Sequence, residues 1–218
     1  MRALYAQAGY GAGHRVGILL ENRPAFFTHW LALNALGVSI VPIHSDLRAA
    51  ELTYLVGHSE MALAVVLPNR EGMLRAAAAE ANVHLETIRP EVAGRIPAAR
   101  TAPPHGGQPL GRNDECALLY TSGTTGRPKG CRLSNGYFLR AGEWYLGLGG
   151  LAEVRQDEER FITPLPLSHM LTTPLLTCRS RISSSASRSA RRNSTVPGAA
   201  LFSATGIDCA SSSQASHV

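Results

Sequence analysis

RVGILLENRPAFFTHWLALNALGVSIVPIH, residues Arg15 to His44, decides the fold class. Val16 to Leu20 is a short apolar run without polar alternation, the composition of a strand buried on both faces. Asn22 is placed to cap a helix that carries Pro24 in its first turn, where a missing N–H does no harm. Phe26, Trp30 and Leu33 then recur at helical spacing, and Gly37 ends the helix. Val38 to Val41 is a second apolar strand. Strand, helix and strand within about 30 residues make a βαβ unit.

Outward from this unit the alternation continues. Ser45 and Asp46 start a second helix running to about Val56, Leu63 to Leu67 is a third strand, Glu71 to Ala81 a third helix, and Val83 to Ile88 a fourth strand. Strand starts about 20 to 25 residues apart, each pair separated by a helix, imply an α/β fold with a mainly parallel sheet flanked by helices. Pro90 to Asn113 reads as an irregular connection, after which Cys116 to Tyr120 is another strand. Gly130 to Leu133 is extended, Ser134 caps a helix to about Leu148, Gly149 and Gly150 break it, and Arg160 to Pro164 resumes as a strand.

Between those last strands lies YTSGTTGRPKG, Tyr120 to Gly130, which holds the only lysine of the chain, Lys129. Glycines let backbone approach a ligand closely, and the N–H groups of such a turn converge on anionic oxygens. The hydroxyls of Thr121, Ser122, Thr124 and Thr125 donate to the same oxygens, and Lys129 adds a mobile positive charge. The reading is a polyphosphate cradle formed by Thr121, Ser122, Gly123, Thr124, Thr125, Gly126 and Lys129. It is not a Walker A loop, because Arg127 and Pro128 separate Gly126 from the lysine and Gly130 follows it. Arg127 is read equally as a phosphate contact or a solvated side chain, and Glu158 and Glu159 as a solvated turn.

YTSGTTGRPKG resembles the signature loop of the adenylate-forming (AMP-binding) superfamily, and the stretch from Arg15 resembles the start of that family's large N-terminal domain. FITPLPLSHM resembles a second family segment, and with the SGTTG loop it points to the acyl-CoA synthetase/ligase branch. The resemblance covers about residues 10–176. It implies a two-step reaction: a small-molecule carboxylic acid, of any chain length, attacks Mg-ATP to give an acyl-adenylate and pyrophosphate, and coenzyme A then takes the acyl group as a thioester. It also implies that the loop holds the β- and γ-phosphates and that His169 lines the pocket where the carboxylate meets the α-phosphate. No side chain is assigned as a protein nucleophile or metal ligand. The other histidines have no such context and read as structural.

Composition bounds the class. With 44% apolar and 6% aromatic residues the chain can bury a mostly aliphatic core. The four cysteines lack metal-type spacing and read as reduced thiols in a cytoplasmic protein. No secretory leader is visible at the start, and the most apolar window, Trp30 to Ile43, is interrupted by Asn34 and Ser39 and is too short to span a membrane. The net charge is +5, but residues 178–218 hold five arginines and one acid, leaving 16 − 15 = +1 for residues 1–177. A near-neutral body argues against nucleic acid as the main partner.

Two domains are expected: residues 1–176 as a partial N-terminal domain and 177–218 as a Ser/Arg-rich low-complexity tail without regular structure. The family's Tyr-Gly-x-Thr-Glu segment, its ribose-holding aspartate and its C-terminal domain lysine do not follow FITPLPLSHM, so the chain is expected to be truncated and inactive. An out-of-frame tail is one account of the break. Two alternatives stand beside this reading: a noncatalytic polyphosphate-binding fragment, and a nucleic-acid-binding protein acting through RSRISSSASRSARR.

Overall fold

A computed structural model describes residues 1–91, 96–121, 128–150, 165–169 and 207–210, the last as backbone alone. The chain opens with α1 (Arg2–Gln7), followed by β1 (Arg15–Leu19), α2 (Pro24–Asn34), β2 (Ser39–Pro42), α3 (Ala49–Ser59), β3 (Leu63–Val66), α4 (Pro68–Glu80) and β4 (Glu86–Ile88). The second part holds β5 (Glu115–Thr121), β6 (Lys129–Ser134), α5 (Asn135–Leu146) and β7 (Ile207–Ala210).

The expected α/β architecture is present. The strands form one mixed sheet in the order β4-β3-β1-β2-β5-β6-β7. Pairing is parallel from β4 through β5 and antiparallel for β5–β6 and β6–β7. Val16, Ile18, Ile40, Leu63, Val65, Leu119 and Leu133 join one buried cluster with Phe26, Trp30 and Leu33 of α2 and Phe138 of α5. Leu19, Val41, Ala64, Val66 and Leu118 join a second with Leu52, Leu55 and Val56 of α3 and Leu74 of α4. The sheet therefore separates a front layer (α1, α2, α5) from a back layer (α3, α4), which explains why its central strands lack polar alternation. Each buried aliphatic side chain contributes about 1.5–3 kcal/mol. Gly17 lies where a Cβ would fall 2.6 Å from Met61 Sδ and 3.3 Å from Ala64 Cβ, so the back face of β1 has no room for a side chain at that position.

Several boundaries differ from the sequence reading. Arg23, not Asn22, precedes α2, because the Asn22 side chain is engaged with residues 165–167. Ser45 and Asp46 do not start α3: they bond within the turn after β2, and Glu51 instead accepts the Arg48 N–H at 2.9 Å. α4 begins earlier than expected, with Pro68 in its first turn. Ser134 caps α5 as expected, accepting from the Tyr137 N–H at 3.3 Å. The Arg160 to Pro164 strand lies outside the described residues. So does most of the tail, although Ile207–Ala210 within it is extended and pairs with β6.

Candidate functional site

The loop flagged by sequence is the connection of a β-hairpin. β5 and β6 pair out to Thr121 and Lys129, which lie directly opposite one another, with Tyr120 opposite Gly130. Ser122, Gly123, Thr124, Thr125 and Gly126 lie outside the described residues, between these two strand ends. Side chains alternate along a strand, so Thr121 and Lys129 share the front face with Leu119 and Leu133, and both are exposed. Tyr120 and Gly130 take the back face. A cationic residue, Lys129, and a hydroxyl residue, Thr121, thus stand opposite each other at the carboxyl end of the parallel strands, the edge at which open α/β sheets bind their ligands.

The second flagged segment reaches the same edge and the same face. Asn22, just beyond the end of β1, donates from Nδ2 to the Leu165 carbonyl at 3.2 Å and accepts at Oδ1 from the Leu167 N–H at 2.8 Å. Leu167 is buried in the front cluster, and the His169 N–H closes a turn onto the Pro166 carbonyl at 2.9 Å, leaving the His169 side chain exposed. Beside Asn22, Glu21 holds a left-handed backbone (φ 56) and pairs with Arg70 at 3.4 Å. The sequence showed Asn22 only as a helix cap, and nothing in its spacing announced a partner 145 residues away.

A third group stands behind the loop. The Tyr120 hydroxyl lies 2.7 Å from His58 Nδ1, and the His58 ring stacks on Tyr54 at 5.4 Å. Burial pushes the Tyr120 phenol well above its ordinary range, so it remains a proton donor. His58 has no motif around it, and sequence reasoning passed over it.

The amino ends of the strands are built differently. Glu115 accepts from Arg15 Nε at 2.7 Å and Nη2 at 3.0 Å, and from Arg132 Nε at 2.6 Å. Burial alone would raise the Glu115 carboxyl, but these donors outweigh it and hold the group below the usual carboxylate range. A cavity of about 190 Å³ opens here, lined by Arg15, Ser39, His105, Asp114, Glu115 and Arg132 among others. Glu115 and Thr121 are opposite ends of β5, about 20 Å apart at roughly 3.3 Å per residue, so this cavity is not the space beside the loop. Cys116 and Cys131 are buried and reduced, and burial pushes the Cys116 thiol up to about 12, which suits a structural role. Among the described residues no three His, Cys, Asp or Glu side chains converge as a metal site, and no helix is long and apolar enough to cross a membrane.

Comparison with known proteins bears on the family and the fold. The family model described as "AMP-binding enzyme" matches residues 2–181. The chain is 30% identical over 179 residues to sulfoacetate–CoA ligase of Cupriavidus necator, covering 76% of this chain and 32% of that protein. ATP-bound MatB from Rhodopseudomonas palustris matches at 27% identity and TM-score 0.50, covering 66% of this chain and 29% of that one. O-succinylbenzoate coenzyme A synthetase from Bacillus subtilis in complex with AMP matches in fold at 23% identity and TM-score 0.62, over 84% of this chain and 44% of its own. The chain spans about a quarter to a third of the length of the curated relatives it matches.

Proposed function

The chain belongs to the AMP-binding enzyme family, and from that premise we propose that it supplies the polyphosphate-holding part of an ATP-dependent acyl-CoA ligase. In that reaction a carboxylate oxygen attacks the α-phosphorus of ATP and pyrophosphate leaves, forming an acyl-adenylate. The thiol of coenzyme A then attacks the acyl carbon, and AMP leaves. The task of this chain is positioning and charge stabilisation, the main demands of phosphorus chemistry.

The observation that carries the proposal is the register pairing of Thr121 with Lys129 on one face, at the carboxyl edge of the sheet. Hydroxyls of Thr121, Ser122, Thr124 and Thr125, with backbone N–H groups around Gly123 and Gly126, donate to the β- and γ-phosphoryl oxygens. The Lys129 ammonium balances their charge, and magnesium arrives with the nucleotide. His169, on the segment that Asn22 grips, lines the place where the carboxylate meets the α-phosphate. The ATP-bound MatB match and the CoA-ligase relatives favour this reading over a nucleic-acid role. The acid is a small-molecule carboxylate, and the cytoplasm is the proposed location.

Calorimetric titration of the 218-residue chain with magnesium ATP and with tripolyphosphate tests the cradle. The parent is expected to bind both, and Lys129→Ala to bind at least tenfold more weakly. Equal affinity in parent and variant would refute the assignment. The 218 residues contain no Tyr-Gly-x-Thr-Glu run, so carboxylate-dependent ATP–pyrophosphate exchange is expected to be absent, and its appearance would refute the division of labour proposed.

A further inference from the structure

Thr121 and Lys129 meet a ligand in a defined way only if the strand ends that carry them keep a fixed roll about their axes. Tyr120 and Gly130, one residue behind each, point to the opposite face, and both meet the same side chain there. His58, in the last turn of α3, has Nδ1 2.7 Å from the Tyr120 hydroxyl. Its ring meets Tyr120 edge-on, with centroids 5.7 Å apart and planes at 83°. A Cβ on Gly130 would lie 3.4 Å from His58 Cε1 and 3.2 Å from Leu118 Cδ1, so the imidazole lies beside Gly130 and the tight neighbour there is Leu118. On its other face His58 stacks on Tyr54 at an interplanar angle of 22°, which holds the ring in place. The phenol keeps its proton, and the Tyr120 hydroxyl and His58 Nδ1 stand at hydrogen-bond distance.

We propose that His58 is a positioning residue for the polyphosphate loop: from behind the sheet it sets the roll of Tyr120 and Gly130, and thereby the direction in which Thr121 and Lys129 face the phosphates. The proposal rests on the polyphosphate reading of that loop. The cause is geometric. In a two-residue period, rotating Tyr120 about the strand axis rotates Thr121 with it, and the hydrogen bond removes that freedom on β5, while the in-register pairing of Tyr120 with Gly130 carries the restraint to β6.

The test uses four variants of the full chain. His58→Phe keeps an aromatic ring against Tyr54 but removes the ring nitrogen that meets the Tyr120 hydroxyl. Tyr120→Phe removes the hydroxyl of the same bond, and the double variant removes both. His58→Asn returns a polar amide near the position of Nδ1. Two readouts are taken: affinity for tripolyphosphate, and backbone hydrogen exchange over residues 121–130. Each Phe variant is expected to weaken tripolyphosphate binding about five- to tenfold and to speed exchange in that stretch. The double variant should lose no more than either single, and His58→Asn should recover at least half of the loss. A merely structural histidine would lower the melting temperature and leave tripolyphosphate affinity within twofold of the parent, and that result overturns the proposal. If the parent binds no tripolyphosphate, the polyphosphate reading itself falls. The exchange data then judge the brace alone, and unchanged rates over residues 121–130 would reject it too.

Discussion

Replacing Arg15 by methionine should expose how the amino edge of the sheet is held. The Arg15 guanidinium spans three elements: it bonds Glu115 through two nitrogens and reaches the Ser59 carbonyl at 3.2 Å and Glu60 at 3.1 Å. The Glu115 side chain is 13% exposed and that of Arg15 19%, so the pair is largely withdrawn from water. Breaking a buried pair from one side costs about 3–5 kcal/mol, mostly because a charge is left without its partner. Glu115 retains Arg132 at 2.6 Å, which lowers the expected loss to about 2–3 kcal/mol. With a denaturant slope of about 2 kcal/mol per molar, the urea midpoint of Arg15→Met should fall by about 1–1.5 M.

Two controls separate the charge effect from lost packing. The Glu115 carboxyl is held below its ordinary value, so its contribution is present above the unfolded carboxylate pKa and is lost as pH falls through the folded one. The acid limb of the stability profile should therefore be shallower in Arg15→Met than in the parent. The double change Arg15→Met with Glu115→Leu should recover much of the loss, because the half-exposed Arg132 keeps its hydration. A midpoint within about 0.2 M of the parent at pH 7, or an unchanged acid limb, would refute the reasoning.

His29 is fully buried between the Tyr5 hydroxyl at 2.7 Å and the Pro90 carbonyl at 2.9 Å, and burial pushes its pKa down. Below about pH 6.5 the unfolded chain takes up a proton that the folded chain resists, so stability should decline as pH falls from 7 to 5. A His29 NMR signal that titrates with an ordinary midpoint would contradict this. Ser134→Ala removes the cap of α5 and should cost about 1 kcal/mol, seen as a lower urea midpoint, and no change would show the 3.3 Å bond to Tyr137 to be incidental.

Much of this fold could be read before the structure. Val16 to Leu20 and Leu63 to Leu67 are apolar runs too short for helices, and both are strands within one residue of expectation. The hairpin was legible in part, since Cys116 to Tyr120 and Gly130 to Leu133 are extended and flank a glycine-rich turn. The starts of α3 and α4 were misplaced because Ser45, Asp46 and Glu71 are locally plausible starts, while Glu51 and Pro68 mark the real ones. Asn22 shows the limit most directly: its local context fits a helix cap equally well, and only the presence of residues 165–167 within reach redirects its amide.

The sequence by itself determined the α/β class, the alternation that builds the sheet, and the residue types between Thr121 and Lys129. These are written in periods of two and 3.6 residues and in residue types, which need no distant partner to be read. Only the tertiary structure decided that Thr121 and Lys129 stand opposite each other, that Asn22 clasps the segment of His169, and that His58 backs the loop. The last two contacts join residues 145 and 62 positions apart. They exist because packing two helical layers onto one sheet brings these groups within hydrogen-bond reach, an outcome that no local pattern encodes.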